Sequence, residues 1–470
     1  MTNRISTAFD ELLAIRGGRP AEPPSFTGRD PVFPTHYRVG ETAAAVLGAV
    51  AVSVSDIWEL KTGRRPTTAI DVRRAAAAIN SFAYLQRESD DGSYATFGNS
   101  PLAAAAYQIT QPWPTRDGRW FLPHFGIAHL KKKVLGVLEC DDNPASVAAA
   151  VRRWNGTDLE AAIAAAGACG AMVRRHDEWL AHPQGHALAA VPVVEIEKIG
   201  ESDPEPFPAS GRALEGIRVL DLTRILAGPV AARTCAEHGA DVLMVAARGM
   251  PQIKNFVIDL SHGKRSCYLD LNDSREAGQL RELVRGADVF SQGYRPGVLE
   301  RRGFGVETLA ELRPGIVYTT LSCFGQHGPM RDRAGWEQVA QCMVGIAEDC
   351  GHASPALLPV PACDYLTGYL GAFGTLVALA RRAIEGGSYA VNVSLCQSGM
   401  FLHRQGRDAD PGEAIEPQSD EVRAWQMNSS GPYGNLRHLA PVIEFSEAKP
   451  YWASSSPALG RDPAQWLTRA

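Results

Sequence analysis

The sequence predicts an α/β architecture: a mainly parallel, Rossmann-like sheet flanked by helices, with a second, smaller α+β domain. Three observations carry this. From residue 216 onward, short apolar runs alternate with amphipathic stretches, the pattern of parallel strands joined by crossover helices. Before residue 200 the chain is rich in alanine and reads as largely helical. Between the two, ESDPEPFPASG at 201–211 carries three prolines among small polar residues and reads as a linker.

The elements follow in order. AAAVLGAVAVSV (43–54) and DLEAAIAAAGACGAM (158–172) read as helix, and DGRWFL (117–122) reads as a turn dipeptide opening a hairpin. After the linker, strands are expected at IRVLDL (217–222), ADVLMVA (240–246), CYLDL (267–271), DVFSQ (288–292) and IVYTTLS (316–322). SREAGQLRELVRGA (274–287) and VETLAELRP (306–314) supply helices between them. The turn Ala227-Gly228-Pro229 sets helix-start amides where an anion could dock, though many such turns are only tight connections. HYRVG (36–40), an alanine-rich helix and PTTAIDV (66–72) echo DYLTG (364–368), an apolar helix and SYAVNV (388–393). That echo places His36 where the second copy has Asp364.

Composition excludes several classes. Lys and Arg number 47 against 52 Asp and Glu, a net charge of −5, and no basic block suggests nucleic-acid binding. The longest apolar runs, 43–54 and 370–380, are shorter than a bilayer span requires, and the first residues lack an apolar signal core. Nine cysteines without a CxxC pair give no disulfide framework or zinc ribbon, so a reducing cytoplasm is the expected setting. The twelve histidines show no metal-ligand spacing, and no metal site is expected. HExxH, GxSxG, GxxxxGK[ST] and a complete GxGxxG are all missing, since Gly303-Phe304-Gly305 lacks its third glycine.

GIRVLDLTRILAGPVAARTCAEHGADVLMV (216–245) resembles the opening of the family III CoA-transferases. That family includes formyl-CoA transferases, carnitine CoA-transferases and α-methylacyl-CoA racemase. Similar pieces follow in the family's order: GKRSCYLDL (263–271), YRPGVLERRGF (294–304), IVYTTLSCFGQHGP (316–329), GWEQVAQCMVG (335–345) and PACDYLTGYLGAFGTLVALARR (361–382). TRDGRWFLPHFG (115–126) through HDEWLAHPQG (176–185) resembles the family's smaller second domain, and GPYGNLRHLAPVIEF (431–445) the end of long, duplicated members. The resemblance thus implies a rearranged or truncated two-module member. Its parts are a helical remnant of a degenerate first module (1–111), a small domain (112–200), a linker (201–215), a Rossmann-like CoA-binding domain with the nucleophile segment (216–400) and a C-terminal extension returning to the core (401–470).

The resemblance implies that Asp364 is the nucleophile of an acyl-CoA:carboxylate CoA-transferase working through an aspartyl anhydride and an aspartyl-CoA thioester. Read alone, Asp364 also suits a helix N-cap. Ile225, Leu226 and Ala227 are expected beside the pantetheine, with Tyr294, Arg295 and Arg301 near the CoA phosphates, where an arginine fork donates paired hydrogen bonds. Coenzyme A and acyl-CoA enter as substrates with a carboxylic acid acceptor and no prosthetic group. A homodimer is expected, without nucleic-acid or membrane partners. The racemase branch places a histidine where GWEQ has Trp336, which disfavours racemase chemistry. A CoA-thioester racemase, isomerase or lyase and a non-catalytic acyl-CoA-binding subunit are the alternatives.

Overall fold

The computed structural model describes residues 3–97, 101–209, 211–408, 412 and 414–468. Its largest sheet has seven strands: β1 (Glu195–Gly200), β2 (Arg218–Leu222), β3 (Asp241–Ala246), β4 (Lys264–Tyr268), β5 (Val289–Gln292), β6 (Val317–Ser322) and β7 (Ser388–Ser394). They lie in the order β4-β3-β2-β5-β6-β7-β1. Strands β2 to β7 pair in parallel, and β1 closes the edge antiparallel to β7. The chain leaves β2 towards β3 on one side and later returns to lay β5 on the other. A crevice therefore opens between the carboxyl ends of β2 and β5, where open parallel sheets take ligands.

The apolar alternation after residue 216 delivers these strands close to where it predicts them. β4 is the exception, three residues earlier than expected. Its start, Lys264-Arg265-Ser266, reads as polar loop, but the Lys264 side chain points into the protein, fully buried, and pairs with Asp221 at 2.8 Å. β1 belongs to the large sheet although it lies within 112–200. The rest of that stretch builds a small antiparallel sheet from Trp113–Pro114, Trp120–Pro123 and Gly170–Met172. A separate apolar cluster containing Phe121, Val134, Val147 and Ile163 lies beneath it.

Six helices build the core and its border with the site: α1 (Asn3–Arg16), α2 (Val39–Thr62), α3 (Ala227–Glu237), α4 (Glu337–Val344), α5 (Ala362–Glu385) and α6 (Leu395–Arg404). By length and composition α2 could cross a bilayer, which the run 43–54 alone does not indicate. It is a core helix instead, buried along most of its length and packed against α1 and α5. The C-terminal hairpin Gln426–Gly431 and Gly434–Leu439 adds to Gln86–Glu88, tying the end of the chain to its amino-terminal third.

α2 and α5 are the two copies of the internal echo, in a register different from the expected one. Both are 24 residues long. Their N-caps match, Arg38 at φ −79°, ψ 65° and Pro361 at φ −78°, ψ 64°. Leu47-Gly48-Ala49 then falls on Leu370-Gly371-Ala372, and Gly63 on Gly386, without a gap. In this register Glu41, not His36, is the counterpart of Asp364. His36 lies before the helix, half-buried, with Nδ1 3.1 Å from the Asp408 carbonyl.

Candidate active site

Asp364 sits in the first turn of α5, not at its cap. Pro361 holds the N-cap position and makes no side-chain bond, so the amides of that turn need acceptors from elsewhere. Glu337, the first residue of α4, provides them. Its Oε1 accepts from the Cys363 N–H at 3.1 Å and its Oε2 from the Asp364 N–H at 2.5 Å, while Gln341 Nε2 donates to Oε1 at 2.6 Å. The helix is thus capped from outside, and the Asp364 carboxylate is left to face its surroundings.

Those surroundings are built by the turn after β2. α3 begins at Ala227, whose backbone N–H faces the Asp364 carboxylate and favours its charged form. α3 and α5 meet this closely because Gly368 has no side chain: a Cβ there would stand 2.5 Å from the Ala227 carbonyl oxygen and 2.6 Å from Val230 Cβ. Beneath the turn, Asp221 accepts from the Thr223 N–H at 3.0 Å and from Lys264 Nζ at 2.8 Å, and Lys264 also donates to the Pro229 carbonyl at 3.0 Å. Removing either member of the Lys264–Asp221 pair would strand a buried charge. Ile225, in the middle of the turn, has φ 74°. A β-branched residue avoids that region, and strain of this kind gathers at functional sites.

Burial, reinforced by the negative charge of Glu337, pushes the Asp364 carboxyl well above the usual carboxylate range, against the Ala227 N–H. Burial also raises Glu337, but its amide and Gln341 donors resist. Three donors favour the charge on Glu337, so Asp364 is the member that keeps the proton longer. Burial likewise holds the neighbouring Cys363 thiol up and neutral.

A cavity of about 280 Å³ opens over Asp364. Ile225 and Leu226 form one wall, Trp336 and Leu358 another, and Phe82 and Tyr107 reach it from the amino-terminal third. His124 lies in the wall with its ring stacked on Trp336, centroids 4.7 Å apart. Burial pushes this imidazole down to about 4, so it is neutral at pH 7. A second cavity, of about 330 Å³, lies against α6 beside His176 and Leu188 and shares no lining residue with the first. The strained turn and the perturbed carboxylates belong to the first.

Asp364, Ile225, Leu226 and Ala227 are therefore brought together. Tyr294, Arg295 and Arg301 are not in the cavity but on the loop after β5, across the crevice from the 223–227 turn. Tyr294 is half-buried beside the positive charge of Arg224. Arg295 and Arg301 are exposed, and the Arg301 guanidinium folds over Gly297. Glu337, His124 and Arg224 were not expected. Glu337 had a visible signal, an acid opening a helix within GWEQ; His124 had none, because only the tertiary fold carries it to the cavity. The echo extends to the caps: Asp30 accepts from the Gly40 and Glu41 N–H groups at 3.1 and 2.7 Å, as Glu337 does for Cys363 and Asp364.

A strained strand-to-helix turn at a switch point, over a buried carboxylate, marks this cavity as the candidate active site. Residues 214–430 match the family model of CoA-transferase family III. The chain is similar to an acetyl-coenzyme A transferase of Hypoxylon pulicicidum, 29% identical over 81% of this chain and 71% of that protein. An acyl-CoA transferase of Gibberella moniliformis is 33% identical over 64% of this chain and 57% of its own length. A succinyl-CoA:glutarate CoA-transferase of Mus musculus is 33% identical over 42% of this chain. The chain spans only 57% and 48% of the last two proteins.

Proposed function

We propose that the chain is an acyl-CoA:carboxylate CoA-transferase whose nucleophile is Asp364. The observation that carries this reading is the buried Asp364 carboxyl, opening into a cavity beside the first turn of α3. An Asp364 oxygen attacks the thioester carbonyl, the C–S bond breaks and CoA leaves as the thiolate, giving a mixed anhydride. The thiolate then attacks the aspartyl carbonyl, the anhydride C–O bond breaks and the first acid leaves as its carboxylate. The aspartyl-CoA thioester that remains is attacked by the second carboxylate, which releases the thiolate and forms a new anhydride. Attack of the thiolate on the new acyl carbonyl restores Asp364. Each step exchanges bonds of similar energy.

This chain's residues serve those steps in definite ways. The amide end of α3 stabilises negative charge at Asp364 and on oxygens developing beside it. Glu337 fixes the backbone of Asp364 and raises its basicity. The apolar side chains beside Asp364, Ile225, Leu226 and Leu358 among them, reduce the access of water to the anhydride. Arg295 and Arg301, on the crevice loop, receive the CoA phosphates, and Ile225–Ala227 flank the pantetheine. The reading includes a cytoplasmic homodimer, with light scattering as the check on assembly. Incubating the protein with acyl-CoAs and isotopically labelled acids, then weighing the thioesters, tests the transfer. Asp364→Asn is expected to abolish it, and wild-type turnover by that variant would refute the assignment.

A second reading has one specific observation behind it. Trp336 stands where the racemase branch has its histidine, yet His124 brings a neutral imidazole to the same cavity. Exchange of the α-proton of an acyl-CoA in deuterated water, lost in His124→Ala, would favour that reading.

A further inference from the structure

We infer that the acids exchanged at Asp364 are compact, apolar monocarboxylic acids with an aromatic or branched body, and not dicarboxylic acids. The inference rests on the transferase reading above. The charged side chains lining the cavity are Glu337 and Asp364, both acids, with no lysine or arginine among the described lining residues. His124 adds no positive charge, because burial keeps it neutral. Gln341 is already engaged, donating to Glu337 at 2.6 Å and accepting from the Leu358 N–H at 2.8 Å.

A dicarboxylic acid bound through one end would place its second carboxylate in this cavity, next to two acids and without a counter-ion among the described lining residues. A carboxylate held beside two acids without a counter-ion is disfavoured. Arg295 and Arg301 of the crevice loop are not among the residues that line the cavity. Most of the lining suits an apolar body, with Thr110, Asn255 and Gln338 as uncharged polar groups within it. Phe82 and Phe256 meet edge to face at 4.9 Å and 72°, and Ile225, Leu357 and Leu358 complete that surface. At about 280 Å³ the cavity is near the lower end of ligand pockets, roughly 300–1,000 Å³, which sets the word compact. The relative named for glutarate then differs from this chain in the acid it takes.

The test offers the wild-type chain phenylacetyl-CoA with an equimolar mixture of labelled benzoate, isovalerate, succinate and glutarate, and weighs the thioesters formed. Benzoate and isovalerate are expected to receive CoA about tenfold faster than either dicarboxylate, a factor well within what pocket contacts discriminate. Equal or faster transfer to succinate or glutarate would overturn the inference and leave the transferase reading standing. Absence of exchange with every acid would instead remove the transferase reading. Calorimetry of phenylacetyl-CoA against succinyl-CoA then reads the cavity directly. Tighter phenylacetyl-CoA binding supports the apolar preference, and equal or weaker binding overturns it. Leu357→Arg places a cation at a half-buried wall position. It is expected to shift the benzoate-to-succinate ratio towards succinate by about tenfold; an unchanged ratio would overturn the placement of the acid in this cavity.

Discussion

Asp364 and Glu337 are neighbouring buried acids, and the consequences of their proximity can be read in pH. With Asp364 raised above its unfolded value by burial and by Glu337, the folded chain binds this proton more tightly than the unfolded one. The associated stability is present at pH below about 4, the unfolded aspartate value, and is lost as pH rises through the raised folded value. Asp364→Asn removes that charge while keeping the shape. Its melting temperature is expected to exceed the wild type's by a margin that widens from pH 4 to pH 8, measured by calorimetric scans; a constant margin would contradict the shift. The nucleophile needs the ionised form, so wild-type kcat/KM is expected to rise with pH along an acid limb above the ordinary carboxylate range. Glu337→Gln takes away the neighbouring charge, and that limb is expected to move to lower pH even as overall turnover falls. A role for Glu337 confined to capping α5 would lower activity without moving the limb.

At the scale of elements, the site depends on how closely two helices and two loops approach. Gly368→Ala would drive a methyl group into the Ala227 carbonyl and Val230. The α3–α5 contact is expected to open, lowering stability by about 1–3 kcal/mol and cutting kcat through loss of the amide at Asp364. Urea titration together with steady-state rates would separate the two effects. Across the crevice, Arg301→Ala is expected to weaken CoA binding by about 1–3 kcal/mol, the scale of a charged hydrogen bond. Equal calorimetric affinities would remove Arg301 from the phosphate site. Much of this was legible in the sequence, because short apolar strands, the Ala227-Gly228-Pro229 turn and the first turn of α5 are local features. β4 was misplaced because Lys264 is a charge whose partner, Asp221, lies on another strand. Glu337 acts on residues far along the chain, and His124 reaches the cavity only through the fold, so periodicity shows neither role.

On the scale of the whole molecule, α2 and α5 lie side by side as two copies of one unit, each with a carboxylate in its third helical position and a second carboxylate holding the amides of that turn. The copies are chemically unequal. Asp364 is paired with Glu337 and lines a cavity; Glu41 is 5% exposed and its amide is held by Asp30. Burial pushes Asp30 up to about 6, despite three backbone donors, with the charge of Glu41 adding to the rise. The α2 copy therefore keeps the capping geometry of the α5 copy, with the two acids exchanged in kind: aspartate caps and glutamate follows. Glutamate carries one more methylene, so its carboxylate cannot stand where the Asp364 carboxylate stands relative to its own helix. An acyl group is therefore expected on one carboxylate per chain. Wild-type protein incubated with acyl-CoA and hydroxylamine, then digested and weighed, should carry a hydroxamate at Asp364 and none at Glu41. Glu41→Gln should leave the yield at Asp364 unchanged. A second hydroxamate at Glu41 would show that both copies of the unit react, and that the inequality between them lies in rate and not in kind.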